Sequence, residues 1–177
     1  MTTRWIGGVL VAVAACGGLT EQEGIYDVAT WTENPTGCDA EGPSVAAAHA
    51  PHVFLRADSF FGQDFINVVE CSDLGDCRTR AAETDTLELG GNIFDEGNDD
   101  DGWRGRIVSA FGSGGTCGGT VDDGTLTTTA TGFRIEHQRR DVTFEASDCT
   151  TEAAEAAAAA APCSSLEVIT TTLVESL

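Results

Sequence analysis

Lysine is absent from this sequence of 177 residues. Its nine basic residues are all arginines, and they face 29 aspartates and glutamates, which gives a formal net charge of −20. A surface with so much negative charge repels nucleic-acid phosphates and anionic lipid headgroups. The sequence therefore predicts a protein that does not bind nucleic acid.

Recognisable catalytic motifs are also missing. Without lysine there is neither a Ser-x-x-Lys site nor a phosphate-binding P-loop, and the sequence contains no Gly-x-Ser-x-Gly or His-Glu-x-x-His motif. We therefore assign no catalytic, cofactor-binding or metal-ligating residue. A hydrolase of unrecognised type is kept as an alternative, which would need His137 or His52 to lie beside a carboxylate.

No apolar run is long enough to span a bilayer as a helix, which takes roughly 20 residues. The apolar run at 5–15 has eleven residues and follows Arg4, which is typical of a signal peptide. It ends in Val13-Ala14-Ala15-Cys16, which resembles the lipobox of bacterial lipoproteins. The resemblance implies a signal peptide at 1–15 and a lipid on Cys16. An ordinary secretory signal with a free Cys16 thiol is the first alternative, and an N-terminal membrane anchor is the second.

The resemblance also implies a location. Gly17 rather than aspartate follows the cysteine, which favours the outer membrane over the inner membrane in many bacteria. Residues 16–23 would form a flexible tether. The expected partner is thus a membrane, bound through the lipid on Cys16.

The sequence has seven cysteines, an odd number. With Cys16 set aside, six can pair into three disulfides, which suits an oxidising compartment; these are Cys38, Cys71, Cys77, Cys117, Cys149 and Cys163. Proximity in sequence favours Cys71 with Cys77 and Cys149 with Cys163. Cys38 would then pair with Cys117.

From Gly24 onward, apolar and polar residues alternate with a period of two, which is typical of β-strands. The pattern predicts strands within 24–32, 52–57, 65–70, 87–94, 101–111, 124–131, 131–138, 140–147 and 166–174. The pairs Asp101-Gly102 and Asp123-Gly124 indicate hairpin turns, and a third turn is predicted at 138–141. We expect one all-β domain at 24–177, a small antiparallel β-barrel of meander type or a sandwich, with about eight strands.

The alanine-rich segment at 150–162 is the exception to this pattern. Thr150 or Thr151 could cap a helix there, and Pro162 would end it. The segment is expected to be a short helical excursion or a disordered loop.

Three further groups of residues could carry chemistry. The acidic stretch at 95–103 is interpreted as a hairpin turn, with an irregular calcium site as the alternative. His49 and His52 are interpreted as a loop leading into a strand rather than a metal site. His137, on the apolar face of its strand, is predicted to be an interior histidine.

Gly24-Ile25-Tyr26 resembles the Gly-x-Trp start of lipocalins, with tyrosine in place of tryptophan. The resemblance implies a barrel that carries a small hydrophobic ligand in a lumen lined by Trp103, Phe111, Phe133 and Ile135. The preferred hypothesis remains a membrane-anchored lipoprotein with a non-catalytic binding or structural role at the cell envelope, facing the periplasm or the cell surface. Its partner would be a small hydrophobic ligand or an envelope protein.

Overall fold

The structure is a computed structural model that describes residues 22–39, 42, 44–83, 91–98, 101–113, 115–145, 147 and 149–177. The predicted signal peptide at 1–15, Cys16 and most of the tether lie outside the described residues. So does the first part of the strand predicted at 87–94.

Ten strands and two short helices make up the described part of the chain. They are β1 (Gly24–Asn34), β2 (Val45–Ala46), β3 (His52–Phe60), β4 (Gln63–Cys71), α1 (Leu74–Ala81), β5 (Asn92–Phe94), β6 (Glu96–Asn98), β7 (Gly102–Ser113), β8 (Thr116–Thr128), β9 (Phe133–Glu145), α2 (Thr151–Ala158) and β10 (Ser165–Ser176). Neither helix has the length and apolar character needed to cross a bilayer.

The strands form one antiparallel sheet in the order β5-β4-β3-β1-β10-β9-β8-β7-β6, with the short β2 paired to β1. Most neighbours are consecutive in sequence, and the first and last long strands pair with each other. The segment 92–98 almost closes the sheet, because β5 pairs with β4 and β6 pairs with β7. The predicted antiparallel β-barrel is therefore confirmed.

The core of the barrel is formed by apolar side chains that point inward from most of the strands. Tyr26 and Phe133 pack edge to face, with their ring centroids 4.7 Å apart. Twelve buried residues belong to this cluster: Tyr26, Trp31, Val53, Leu55, Ile66, Val68, Phe94, Trp103, Leu126, Phe133, Ile135 and Ile169.

Strands β7, β8 and β9 each bury one face at one end of the strand and the opposite face at the other end. In β9, Phe133 and Ile135 point into the barrel, whereas Val142 and Phe144 pack with α2 on the outer face. The turn predicted at 138–141 is wrong, because β9 runs unbroken from Phe133 to Glu145 beside β8. Because the buried face changes, the apolar residues of β9 lie at odd positions in its first half and at even positions in its second half. In the sequence, such a shift looks the same as a turn between two strands.

The two Asp-Gly pairs have different roles. Asp101-Gly102 ends the β6–β7 turn, where Gly102 has a φ of 87°, so that prediction is confirmed. Asp123-Gly124 lies inside β8, and the predicted hairpin there is wrong. A Cβ atom on Gly124 would be 3.0 Å from the rings of both Phe94 and His137. The glycine therefore leaves room for these two rings to pack against the strand.

The sequence left a helix and a disordered loop open for 150–162, and the structure has a helix at Thr151–Ala158. The Thr150 hydroxyl accepts a hydrogen bond from the Ala153 amide at 3.3 Å, as an N-cap does. Ala154 and Ala158 are buried against the outer face of β7–β9. The helix is thus packed on the sheet, with alanine as its apolar surface.

Three disulfides join the six described cysteines, but only one predicted pairing is confirmed. Cys71 bonds Cys77, whereas the other bonds are Cys38–Cys163 and Cys117–Cys149. Cys38 follows β1 and Cys163 precedes β10, and these two strands pair along their length. Pairing of distant strands, rather than closeness in sequence, brings these cysteines together.

Tyr26 gives the barrel a sensitivity to alkaline pH. Burial raises the pKa of its phenol from 10.0 to about 12, so the unfolded chain ionises first. The contribution of the neutral Tyr26 to the free energy of unfolding should be fully present below pH 10. It should fall by about 1.4 kcal/mol per pH unit as the pH approaches 12. Denaturant unfolding at several pH values, with tyrosinate absorbance as a second signal, measures this directly because Tyr26 is the only tyrosine.

Tyr26→Phe is the matched control for this prediction. It keeps the ring and removes the titrating hydroxyl, so its stability should not fall between pH 10 and 12. The absence of lysine removes the other side chain that commonly titrates in this range. An equal fall in the Tyr26→Phe variant would show that another group is responsible.

Candidate binding cleft

A cleft lies on the outside of the barrel, where α2 meets strands β7, β8 and β9. It consists of two cavities of about 510 and 270 Å³ that share Arg106, Asp123 and Glu155. The larger cavity is also lined by Arg104, Thr125 and the acidic pair Asp95 and Glu96. The smaller lies under α2, between Ala158, Val121 and Arg140.

A network of ion pairs crosses the cleft, centred on Asp123. One oxygen of its carboxylate accepts a hydrogen bond from Arg106 at 2.6 Å, and the other accepts one from Arg140 at 2.8 Å. Glu155 of α2 lies 3.9 Å from Arg106. The hydrogen bond that Arg106 donates to Asp123, together with the negative charge of that carboxylate, raises the pKa of Arg106. The network thus holds two arginines in fixed positions beside α2.

Strand geometry explains why these groups meet. Arg106 and Asp123 are direct cross-strand neighbours on β7 and β8, and Arg140 is a diagonal neighbour on β9. Alternation in "WRGR" predicts that Arg104 and Arg106 share the outward face. The sequence pattern does not reveal that Asp123, Arg140 and Glu155 lie next to them, since those contacts depend on strand register and on helix docking.

The cleft has the chemistry of a site for a polar ligand with charged groups. Its guanidinium groups can bind a carboxylate or phosphate, and its carboxylates can bind an amine. Within the described residues, no three histidine, cysteine, aspartate or glutamate side chains are grouped as a metal site requires. In the acidic hairpin, the Asn98 side chain binds the Asp101 amide and carboxylate.

The three histidines lie in three different places. His137 is 3.2 Å from Asp122, and His52 is 2.8 Å from Asp27. His49 stacks on Trp31 with ring centroids 5.5 Å apart. The hydrolase alternative required a histidine beside a carboxylate, and two such pairs are present.

His137 packs beside Phe94, with ring centroids 6.1 Å apart, and its side chain is 12% exposed. Its Nε2 atom is buried and has no hydrogen-bond partner among the described residues. In an acyl-transfer triad this nitrogen would accept a proton from a nucleophilic hydroxyl or thiol. The pair with Asp122 therefore supplies two parts of a triad, and the described structure places no nucleophile on the third position.

The residues predicted to line a lumen do not surround an open cavity. Trp103, Phe133 and Ile135 pack within the barrel core. Phe111 is 63% exposed, and its predicted place in the interior is wrong, because β7 continues past the barrel and carries it outside. There the ring lies over Gly118, its cross-strand neighbour on β8.

Comparison with known proteins adds no assignment to this geometry: no family model, no curated protein and no solved structure matches the chain.

Proposed function

We propose that this protein is a bacterial lipoprotein, anchored to the cell envelope through a lipid on Cys16, whose β-barrel has a non-catalytic binding or structural role. The observation that carries the proposal is the use of the cysteines. All six in the described structure form disulfides, which leaves Cys16 as the seventh. Three disulfides suit a protein that matures in an oxidising compartment, and the lipobox-like residues before Cys16 supply the anchor.

The charged cleft offers a place for a binding role on the described surface. Fixed arginines and carboxylates favour a polar ligand over a hydrophobic one. A lipocalin-like carrier of a hydrophobic molecule stays an alternative proposal, and the packed barrel core argues against it. An outer-membrane location also stays a proposal, supported by Gly17 after Cys16.

Substitution of Cys16 tests the anchor. In a bacterial host that processes lipoproteins, we expect the wild-type chain in the membrane fraction and Cys16→Ser in the soluble fraction. Mass spectrometry should find acyl groups on the N-terminal cysteine of the wild type and cleavage after Ala15. The reason is that several acyl chains bind a bilayer stably, whereas the acidic domain is repelled by anionic lipids.

Thr20→Ser is the control, because it changes the chain close to Cys16 and leaves the lipobox and the three disulfides intact. It should keep the chain in the membrane fraction. Membrane-bound Cys16→Ser would contradict the proposal and favour a transmembrane anchor. A wild-type chain that is secreted with a free thiol would favour an ordinary signal peptide.

A further inference from the structure

The turn between β3 and β4 exposes an aromatic side chain in an unfavourable backbone conformation. Phe61 is 97% exposed and has a φ of 51°, and Gly62 follows with a φ of 81°. Two-residue hairpin turns of this kind favour asparagine, aspartate and glycine, which tolerate positive φ. For phenylalanine, both the positive φ and the exposure of the apolar ring to water are unfavourable. Neither burial nor backbone preference therefore explains a phenylalanine at this position.

This turn lies at the end of the barrel where the chain enters the domain. The Glu23 side chain accepts a hydrogen bond from the Ala57 amide at 2.9 Å, and its carbonyl accepts one from the Leu177 amide at 3.0 Å. β3 pairs with the start of β1 at Leu55 and continues to Phe60. We call this end, with Glu23, the Phe61–Gly62 turn and Leu177, the tether end.

The β3–β4 hairpin extends beyond the start of β1 by a length similar to that of the extended tether. From Leu55 to Phe61 the strand advances about 20 Å, at 3.3 Å per residue. Seven residue steps separate Cys16 from Glu23, and a fully extended chain spans at most about 25 Å over them. A lipid on Cys16 would thus keep the tether end near the bilayer. The turn lies on the side of the domain that the tether holds closest to the lipid.

We propose that Phe61 inserts into the bilayer to which the protein is anchored. This inference rests on the proposed lipid anchor, and it fixes the orientation of the domain. The β7–β8 hairpin, at the other end of the long strands, points away from the membrane. The bilayer surface that fits is a zwitterionic one, because Asp58 and Asp64 flank the turn on β3 and β4 and would repel anionic headgroups.

Tryptophan fluorescence in vesicles tests this orientation. The lipidated full chain with Phe61→Trp is reconstituted in phosphatidylcholine vesicles that carry brominated acyl chains. We expect loss and a blue shift of the added emission, because bromine quenches only indoles that reach the acyl region. Trp31 and Trp103 are buried in the barrel and give a constant background. Phosphatidylglycerol in the vesicles should reduce the quenching, most at low salt.

Phe111→Trp is the matched control, since Phe111 is also an exposed aromatic residue but lies near the opposite end of β7. Its emission should not be quenched. Quenching of both variants, or of neither, would overturn the orientation. A blue shift of Phe61→Trp without vesicles that grows with protein concentration would also overturn it, in favour of a second copy of the chain.

Two further readouts separate the possible failures. Flotation of the lipidated chain with vesicles is measured first: a chain that does not float refutes the anchor, whereas one that floats without quenching refutes only the role of Phe61. Phe61→Asn suits the turn and should raise the midpoint of unfolding. A lower midpoint would show that Phe61 stabilises the fold and would overturn the inference.

Discussion

Replacing Cys38 and Cys163 together with alanine is expected to lower the free energy of unfolding by about 4–5 kcal/mol. The bond joins residues 125 positions apart, so it restricts the unfolded chain far more than the folded one. The two other disulfides lie within this span and shorten the loop only in part. Because neither cysteine is fully buried, little of the effect should come from lost packing. Denaturant unfolding under non-reducing conditions measures it.

The matched control removes Cys71 and Cys77, which are only six positions apart. Loop closure accounts for about 2 kcal/mol in this case, and lost packing of the buried sulfurs adds to it. The slope of unfolding free energy against denaturant separates the two pairs. It should increase only without Cys38–Cys163, since that unfolded chain expands and exposes more surface. An unchanged slope and a loss below about 1 kcal/mol would contradict a bond between Cys38 and Cys163.

Gly105→Ala is expected to destabilise the protein by about 3 kcal/mol, because it would push β5 away from β7 where the barrel closes. A Cβ atom at this position would be 2.0 Å from the Ile93 carbonyl oxygen, where the backbone of β5 crosses β7. Backbone on both sides leaves no flexible side chain to move away. The Asp95 amide, which donates to the Arg104 carbonyl at 2.9 Å, should lose protection in hydrogen exchange because β5 and β6 separate from β7.

Gly118→Ala is the control, with the same substitution in a neighbouring strand. There the new Cβ would be 2.6 Å from the ring of Phe111, which is exposed and can rotate away. We expect a change below about 1 kcal/mol and no loss of protection at Asp95. Equal effects of the two substitutions would indicate that glycine content, rather than barrel closure, determines stability.

Local patterns predicted most of the strands. Alternation of polar and apolar residues placed β1, β3, β4, β7 and β10 close to their observed positions, because burial of one face of a strand leaves a period of two. The same rule failed at residues 138–141, where β9 changes its buried face under α2. An apolar pattern records which face is buried, and it cannot distinguish a change of face from a change of strand.

Helix α1 shows a signal that was available and missed. In the observed structure, Asp73 caps the helix by accepting a hydrogen bond from the Asp76 amide at 2.9 Å, and Asp76 accepts one from the Ser72 amide at 2.8 Å. The acidic residues of "SDLGDC" have the three-residue spacing of a capping box. Only the Cys71–Cys77 disulfide was predicted for this segment. The helix covers the outer face of β1, β3 and β4, where Ile25, Phe54 and Val69 are buried.

The sequence by itself determined the fold class and the Cys71–Cys77 bond, because each depends on residues close together in the chain. For 150–162 it left a helix and a disordered loop open. Only the tertiary structure decided the two long-range disulfides, the position of Gly124 inside β8 and the charged cleft. These depend on which strands pair and in which register, as with Arg106 beside Asp123 or Cys38 beside Cys163. Register is a property of the whole sheet, since each strand must bury its apolar face and pair with both neighbouring strands at the same time.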